Sequence, residues 1–297
     1  AAARGHGDEA AALFDEIRRF AETPGRVDVV ARRVERFLAP YVRERRAFAD
    51  ALAAARPTPA PPGPRVVLFG DSLGLPRPGE PTDFVDGRPT SYAMAMLRSG
   101  RVGAVVPWFQ RYGTSDLVLR LFDEADLRDA VVMVHVGLVD FSHRIFTEHQ
   151  RLSLDLLPEP LKARVVAFAQ TRRNRRSIIE TFDNYCYVPL VRWRANLRRI
   201  IRRCRLQGAR RLILMPPIQA EGDVEAHTPQ YFETFARYKE AMREEATQAA
   251  EFFDLDRFVW REGYGRLMLD DNMHIALEGH AVIGARLAAL AAGSGGR

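Results

Sequence analysis

Five short apolar runs recur in the second part of the chain, separated by polar and turn-forming residues. They cover Arg65–Phe69, Val102–Pro107, Val131–Val136, Arg211–Met215 and Phe252–Phe258. Most lack the alternation of a half-exposed strand, which is typical of strands buried on both faces. Helical stretches lie between them, and this order predicts an α/β fold with a five-stranded parallel sheet between two layers of helices.

Glycine-containing turns directly follow several of these runs. Gly70-Asp71-Ser72, Gly113 and Gly137 each come just after a predicted strand. Ligands of such sheets bind beyond the carboxyl ends of the strands. The sequence therefore predicts a site at this edge of the sheet.

Apolar residues at helical spacing precede the first predicted strand. One stripe runs from Leu13 to Phe20 and another from Val30 to Leu52. A proline-rich stretch then predicts a stiff linker over residues 57–64. We expect a helical N-terminal extension over residues 1–56 and a main domain over 65–292. The extension either packs on the main domain or serves in dimerisation or partner docking.

A long connection separates the third and fourth predicted strands. It indicates helices over Leu161–Ala169, Arg175–Thr181 and Pro189–Leu206. Because one crossover helix needs far fewer residues, we interpret residues 144–208 as a helical insertion that is able to cover the site.

Composition and charge narrow the functional classes. The formal net charge is +6, and Lys162 and Lys239 are the only lysines among many arginines. A basic balance favours anionic partners, but no nucleic-acid-binding motif accompanies it, so nucleic acid is not expected. No apolar run reaches the roughly 18 residues of a transmembrane helix. Cys186 and Cys204 give neither a disulfide framework nor a metal-ligand spacing, so we expect a cytoplasmic protein without a metal.

Two motifs carry the candidate chemistry. The first predicted strand ends in Gly70-Asp71-Ser72-Leu73, and an Asp-x-x-His follows at Asp271 and His274. A serine held at a strand end has the exposure that a nucleophile needs. His274 would act as its general base, and Asp271 would orient the imidazole. Asp270 is a rival for that role, although the spacing favours Asp271.

These motifs resemble the SGNH (GDSL) hydrolase family over about residues 65–291. The resemblance implies a flavodoxin-like three-layer sandwich, a Ser72–His274–Asp271 triad, an acyl-serine intermediate and no cofactor. The second of the family's sequence motifs, or blocks, falls on Gly113. The N–H groups of Ser72 and Gly113 would then form the oxyanion hole. The third block falls on Gly137-Leu138-Val139-Asp140. Near these blocks we expect substrate-binding residues at Asp140, His143, Arg144 and Asn272.

One position departs from the family pattern, because Val139 stands where the family has an oxyanion-stabilising asparagine. Valine has no donor, and losing one such donor typically costs about 10²–10³ in rate. Three explanations are open. Another side chain donates to the oxyanion in place of the asparagine, the two backbone N–H groups suffice, or the protein no longer catalyses hydrolysis. The first candidates for another donor are Thr114, Ser142, Arg144 and Asn272. The string around Asp140 is also similar to an SGNH subgroup of bacterial polysaccharide-biosynthesis proteins, with Phe141 in place of a cysteine.

The motifs favour an esterase that removes a small acyl group from a sugar or a sugar-containing metabolite. An acyltransferase with the same acyl-Ser72 intermediate and a non-catalytic glycan-binding protein are the alternatives. A predicted helix from Arg192 to Arg205 carries many arginines. It is either a solvated face or a site for an anionic ligand or an acidic acyl carrier protein.

Overall fold

The computed structural model describes residues 27–146, 154, 157–181, 186–226, 228–246 and 249–293. The predicted helical stripe from Leu13 to Phe20 lies outside these residues. The chain divides into two compact units. The helical unit comprises Ala1–Tyr41, Ser142–Tyr187 and Asp223–Thr234, and the sheet unit comprises Val42–Phe141, Val188–Gly222 and Phe235–Arg297.

The secondary structure follows the predicted alternation. The strands are β1 (Arg65–Gly70), β2 (Phe84–Val85), β3 (Arg88–Pro89), β4 (Ala104–Phe109), β5 (Val131–His135), β6 (Arg211–Met215) and β7 (Glu251–Phe252). The helices are α1 (Val27–Ala54), α2 (Tyr92–Arg98), α3 (Ser115–Leu121), α4 (Leu138–Phe141), α5 (Glu159–Gln170), α6 (Arg172–Thr181), α7 (Leu190–Leu206), α8 (Tyr231–Glu245), α9 (Leu255–Leu267) and α10 (Leu277–Ala291). Two 3₁₀ turns cover Ser72–Gly74 and Val224–Ala226.

The main sheet has the order β4-β1-β5-β6-β7, and every pairing in it is parallel. Counted in chain order, its strands lie as 2-1-3-4-5, which is the order of flavodoxin-like folds. The predicted fold is thus confirmed. Gly70 pairs with both Phe109 and His135, so β1, β4 and β5 end together and the chain segments after them start at one edge.

Both faces of the central strands β1, β5 and β6 are buried. Val66 and Leu68 of β1 belong to a large apolar cluster that includes residues of α2, α9 and α10. Their neighbours Val67 and Phe69 point to the opposite face and are equally inaccessible. There Phe69 stacks on Phe122, with ring centroids 4.1 Å apart. Burial on two faces explains why the runs that form these central strands show no apolar–polar alternation.

The fifth predicted strand is wrong beyond Phe252. β7 is only two residues long, and most of the predicted run Phe252–Phe258 lies in α9. The cause is a helix cap, because the side chain of Asp254 accepts a hydrogen bond from the N–H of Arg257. The apolar residues that follow are buried on one helix face rather than in a strand.

Candidate active site

The serine turn continues directly from β1. Asp71 caps the 3₁₀ turn Ser72–Gly74, because its Oδ1 accepts the N–H of Leu73 at 2.9 Å. Asp71 and Leu73 are buried, whereas Ser72 between them is partly exposed. The turn therefore presents the Ser72 hydroxyl at the carboxyl edge of the sheet, as a nucleophile requires.

Close packing against Phe109 holds the serine turn in place. A Cβ atom on Gly74 would lie 2.6 Å from the ring of Phe109, so only glycine fits there. Ser91, which caps α2, donates its hydroxyl to the carbonyl of Gly74 at 2.6 Å. The turn has little freedom to move away from the sheet edge.

The Asp-x-x-His motif forms a closed loop. His274 Nδ1 lies 2.7 Å from Asp271 Oδ2. Asp271 Oδ1 accepts the N–H groups of Met273 and His274 at 3.0 and 2.9 Å. Burial by itself would raise the pKa of Asp271, but these bonds and the His274 ring lower it below its ordinary value. Asp271 is thus an ionised carboxylate that accepts a hydrogen bond from Nδ1 of the imidazole.

An ion pair connects the two motif loops. Arg77 Nη2 lies 3.9 Å from Asp271 Oδ2, and Arg77 follows Ser72 by only a few residues. The serine segment and the Asp271–His274 loop therefore meet at one edge of the sheet unit. Among the described residues, no hydrogen bond joins Ser72 Oγ to His274, and such bonds are often long before substrate binds.

Gly113 lies against the serine turn. A Cβ on this residue would be 3.2 Å from Asp71 Cα and 3.1 Å from the carbonyl oxygen of Gly70. Its N–H donates to the carbonyl of Gln110 at 2.9 Å. This bond closes a tight turn in which Tyr112 has a φ of 58°. The Gly113 N–H would have to weaken its bond to Gln110 to serve an oxyanion, and its role as a donor stays a prediction.

The third block places an apolar and an acidic side chain in the interior. Val139 is buried. Asp140 is fully buried, and its Oδ1 accepts both the N–H and the hydroxyl of Ser115, at 2.9 and 2.6 Å. Burial raises the pKa of Asp140 to about 7, although the Ser115 bonds oppose the rise. Because its side chain is inaccessible, Asp140 is not in a position to contact substrate. The sequence motif gave no sign of its bonds to Ser115.

The other predicted substrate-binding residues occur in different parts of the chain. Asn272 lies between Asp271 and His274, has a φ of 56° and accepts the Tyr264 hydroxyl at its carbonyl at 2.9 Å. His143 and Arg144 belong to the helical unit, where His143 is buried and Arg144 stacks over the ring of Tyr187. Their roles in binding substrate stay predictions.

Two buried histidines lie next to the site, and the sequence did not predict that both of them contact Tyr92. His135, at the end of β5, lies 3.1 Å from the Tyr92 hydroxyl through Nδ1. His280 accepts the N–H of Tyr92 at its own Nδ1, also at 3.1 Å. Burial lowers the pKa of His135 to about 4 and that of His280 to about 3, and for His280 the neighbouring His135 and His274 add to the effect. His280 is therefore a neutral imidazole whose proton is on Nε2.

The arginine-rich helix is only partly neutralised. Arg194 and Arg198 of α7 pair with Glu244 and Glu245 of α8. Arg192 and Arg203 pair with Asp116 and Asp123. Within the described residues, the outward-facing Arg199, Arg202 and Arg205 form no ion pair.

Neither a metal cluster nor a membrane span is found in the part of the chain that the structure describes. No group of three or more His, Cys, Asp or Glu side chains there is arranged to hold a metal ion. No described helix combines the length and the apolar character needed to cross a bilayer.

The fold is similar to that of solved esterase structures. Two mutants of an acetylxylan esterase from Geobacillus stearothermophilus match with a TM-score of 0.50. One is 19% identical and covers 78% of this chain and 95% of its own, and the other is 18% identical and covers 80% and 98%. The chain has the fold of these esterases.

A lipase/acylhydrolase from Enterococcus faecalis also matches, with a TM-score of 0.49, 15% identity, and coverage of 77% of this chain and 96% of its own. No protein-family model matches the sequence. No curated protein matches it either. At these identities the likeness establishes the fold, and the activity has to be argued from the site.

Proposed function

We propose that the protein is a serine esterase that removes a small acyl group, such as acetyl, from a sugar or a sugar-containing metabolite. The observation that carries the proposal is the 2.7 Å contact between His274 and Asp271, made beside the segment that contains Ser72. The esterase fold supports it, and the sugar substrate follows the acetylxylan esterases that share this fold.

Side chains of the chain itself supply the proposed nucleophile and the proposed acid–base group, and water is the second substrate. Because Nδ1 of His274 donates to Asp271, Nε2 is free to accept the proton of Ser72 Oγ as the oxygen attacks the ester carbonyl. The imidazolium then gives this proton to the leaving alcohol, and the acyl group remains on Ser72. Water attacks the acyl-enzyme in the same way, losing a proton to His274, which returns it to Ser72 as the carboxylic acid leaves.

The oxyanion has to be stabilised without an asparagine side chain. We propose that N–H groups of the serine turn and of the turn at Gly113 supply the donors. Each donor of this kind typically contributes about 10²–10³ in rate. The enzyme is therefore expected to be slower on simple esters than a homologous enzyme with all three donors.

The test is hydrolysis of p-nitrophenyl acetate and of acetylated xylo-oligosaccharides by the wild type, Ser72→Ala and His274→Ala. We expect turnover by the wild type and a loss of at least about 10⁴-fold in both variants. Ser99→Ala, at the end of α2, is the control and should retain activity. An inactive wild type across a broad panel of acyl sugars, or an active Ser72→Ala, would refute the proposal.

An acyltransferase is the second candidate, favoured by the outward face of α7. Arg199, Arg202 and Arg205 are exposed there next to Leu206, which is 75% exposed. Such a face would suit an anionic ligand or an acidic acyl carrier protein that delivers the acyl group to Ser72. This reading predicts product only when a hydroxyl or amine acceptor is added, whereas the esterase needs water alone.

A further inference from the structure

A buried carboxylate braces the turn that follows β4. Asp140 Oδ1 accepts two hydrogen bonds from Ser115, one from its N–H at 2.9 Å and one from its hydroxyl at 2.6 Å. Asn196 of α7 donates its Nδ2 to the same hydroxyl at 2.8 Å and to Asp116 at 3.0 Å. Asp140, Ser115 and Asn196 are all almost completely inaccessible.

This brace acts on the candidate oxyanion turn. Ser115 comes two residues after Gly113, whose backbone packs on Gly70 and Asp71 of the serine segment. Fixing Ser115 therefore fixes the distance between the Gly113–Thr114 backbone and Ser72. A backbone donor stabilises an oxyanion only when it is held within a few tenths of an ångström of its place.

The carboxylate of Asp140 is not needed to cap α3. The side chain of Thr114 already caps this helix by accepting the N–H of Leu117. Asp140 in addition keeps its second oxygen, Oδ2, buried without a hydrogen-bond partner among the described residues, and such burial is costly. The two bonds to Ser115 are the only hydrogen bonds that the Asp140 side chain makes among the described residues.

Because Val139 cannot donate, more of the oxyanion stabilisation must come from backbone N–H groups, and their placement matters more. We propose that Asp140 is a positioning residue that holds the Gly113–Thr114 turn in register with Ser72 through Ser115. This inference rests on the proposed esterase function. Asp140 does not touch substrate, so its role is separate from that of the triad.

The test compares Asp140→Ala, Asp140→Asn and Ser115→Ala with Val131→Ala. Val131 is a buried residue at the opposite end of β5 from the site. Its truncation to alanine therefore controls for a loss of stability that leaves the turn at Gly113 unchanged. All assays are run at a temperature at which circular dichroism shows every variant folded. The probes are p-nitrophenyl acetate turnover and amide hydrogen exchange of a peptide that covers residues 111–117.

We expect Asp140→Ala and Ser115→Ala to lower kcat by about 10–100-fold with KM within about twofold. Asp140→Asn keeps an acceptor for Ser115 and should stay within about fivefold of the wild type, and Val131→Ala should keep the wild-type kcat. Exchange in residues 111–117 should be faster in Asp140→Ala than in Val131→Ala.

Three results would overturn the inference. The first is a wild-type kcat in Asp140→Ala. The second is an equal loss in all four variants that follows their loss of thermal stability. The third is unchanged exchange in residues 111–117, which counts against the brace whether or not the esterase is active. An inactive wild type with faster exchange in Asp140→Ala would instead refute the proposed function and the catalytic role, and leave a structural brace.

Discussion

At the residue scale, Asp271 is held by its own loop. Its two oxygens accept hydrogen bonds from the backbone of Met273 and His274 and from the His274 ring. These contacts are local, within three residues, so the Asp-x-x-His spacing could indicate the pairing of Asp271 with the His274 ring, whereas it gave no sign of the backbone bonds. The neighbouring Asp270 is exposed, as is Asp271, but of these two aspartates only Asp271 is hydrogen-bonded to His274 among the described residues.

The adjacent carboxylates give a matched pair of variants. We predict that Asp271→Asn lowers kcat by about 10³–10⁴-fold, because the amide no longer holds the imidazole in the tautomer that accepts the serine proton. Asp270→Asn should leave kcat within about twofold of the wild type. The measurement is turnover of p-nitrophenyl acetate at saturating substrate, and equal losses in both variants would contradict the assignment.

Other features of the site depend on contacts that are distant in sequence. The bonds from Ser115 to Asp140, the approach of Arg77 to Asp271 and the pairing of Tyr92 with His280 each join residues from different elements. No local pattern encodes them, because they arise only once the sheet has brought the strand ends together. The engagement of the Gly113 N–H by Gln110 belongs to the same class.

At the scale of elements, the sequence predicted four strands of the main sheet and three helices between β5 and β6 with approximate bounds. Apolar runs with no alternation identified β1, β4, β5 and β6, and the predicted helices Leu161–Ala169, Arg175–Thr181 and Pro189–Leu206 correspond to α5, α6 and α7. The run at Phe252 was ambiguous, because a short apolar segment suits a strand or a buried helix equally. There the Asp254 cap decided for α9.

The contact between α2 and α10 gives a prediction at this scale. A Cβ on Gly284 would lie 2.4 Å from Ala95 Cβ and 2.6 Å from the Tyr92 carbonyl oxygen. Gly284→Ala should therefore force the two helices apart and destabilise the fold by about 1–3 kcal/mol, despite the better helix propensity of alanine.

Gly265 is the matched control within α9. A Cβ there meets nothing within 4 Å. Gly265→Ala should leave the free energy of unfolding unchanged or raise it by up to about 1 kcal/mol. Urea denaturation of both variants checks the pair, and a Gly284→Ala protein as stable as the wild type would show that the helices are not closely packed.

At the scale of the whole molecule, buried titratable groups make stability depend on pH. His280 has its pKa lowered to about 3 by burial and by His135 and His274, so the folded state resists protonation that the unfolded chain accepts below about 6.5. The stabilisation is complete above about pH 6.5 and is lost as the pH falls towards 3. For one such group the loss is about 1.4 kcal/mol per pH unit.

We therefore predict that His280→Gln lowers the pH dependence of the unfolding free energy between pH 4 and pH 6.5. Urea denaturation across this range measures the slope. His135 contributes in the same direction, because its pKa is also lowered, to about 4. A variant with the same slope as the wild type would show that folding does not lower the pKa of His280.

The contribution of Asp140 to stability depends on pH in the opposite direction to that of the two histidines. Burial and the carboxylates of Asp71 and Asp116 raise its pKa to about 7, so the folded state keeps a proton that the unfolded chain has lost. Its contribution is fully present below about pH 4 and is lost as the pH rises to about 7. The stability of Asp140→Asn relative to the wild type should thus increase between pH 4 and pH 7 in the same denaturation experiments, and a constant difference would contradict this.

The division into two units was not visible in the sequence as the structure has it. The predicted insertion began at residue 144 and ended at 208, whereas Ser142–Tyr187 belong to the helical unit and Val188–Gly222 to the sheet unit. The arginines and apolar positions of α7 gave no sign of this boundary, because a helix packed on a sheet and a helix of an insertion have the same amphipathic pattern.

The central claim is that Ser72 is a nucleophile activated by His274. Its most direct test is the intact mass of the wild type, Ser72→Ala and His274→Ala after treatment with a fluorophosphonate, which bonds to an activated serine with loss of fluoride. We predict a single adduct on the wild type and none on either variant. No adduct on the folded wild type, or an adduct that survives in Ser72→Ala, would contradict the account.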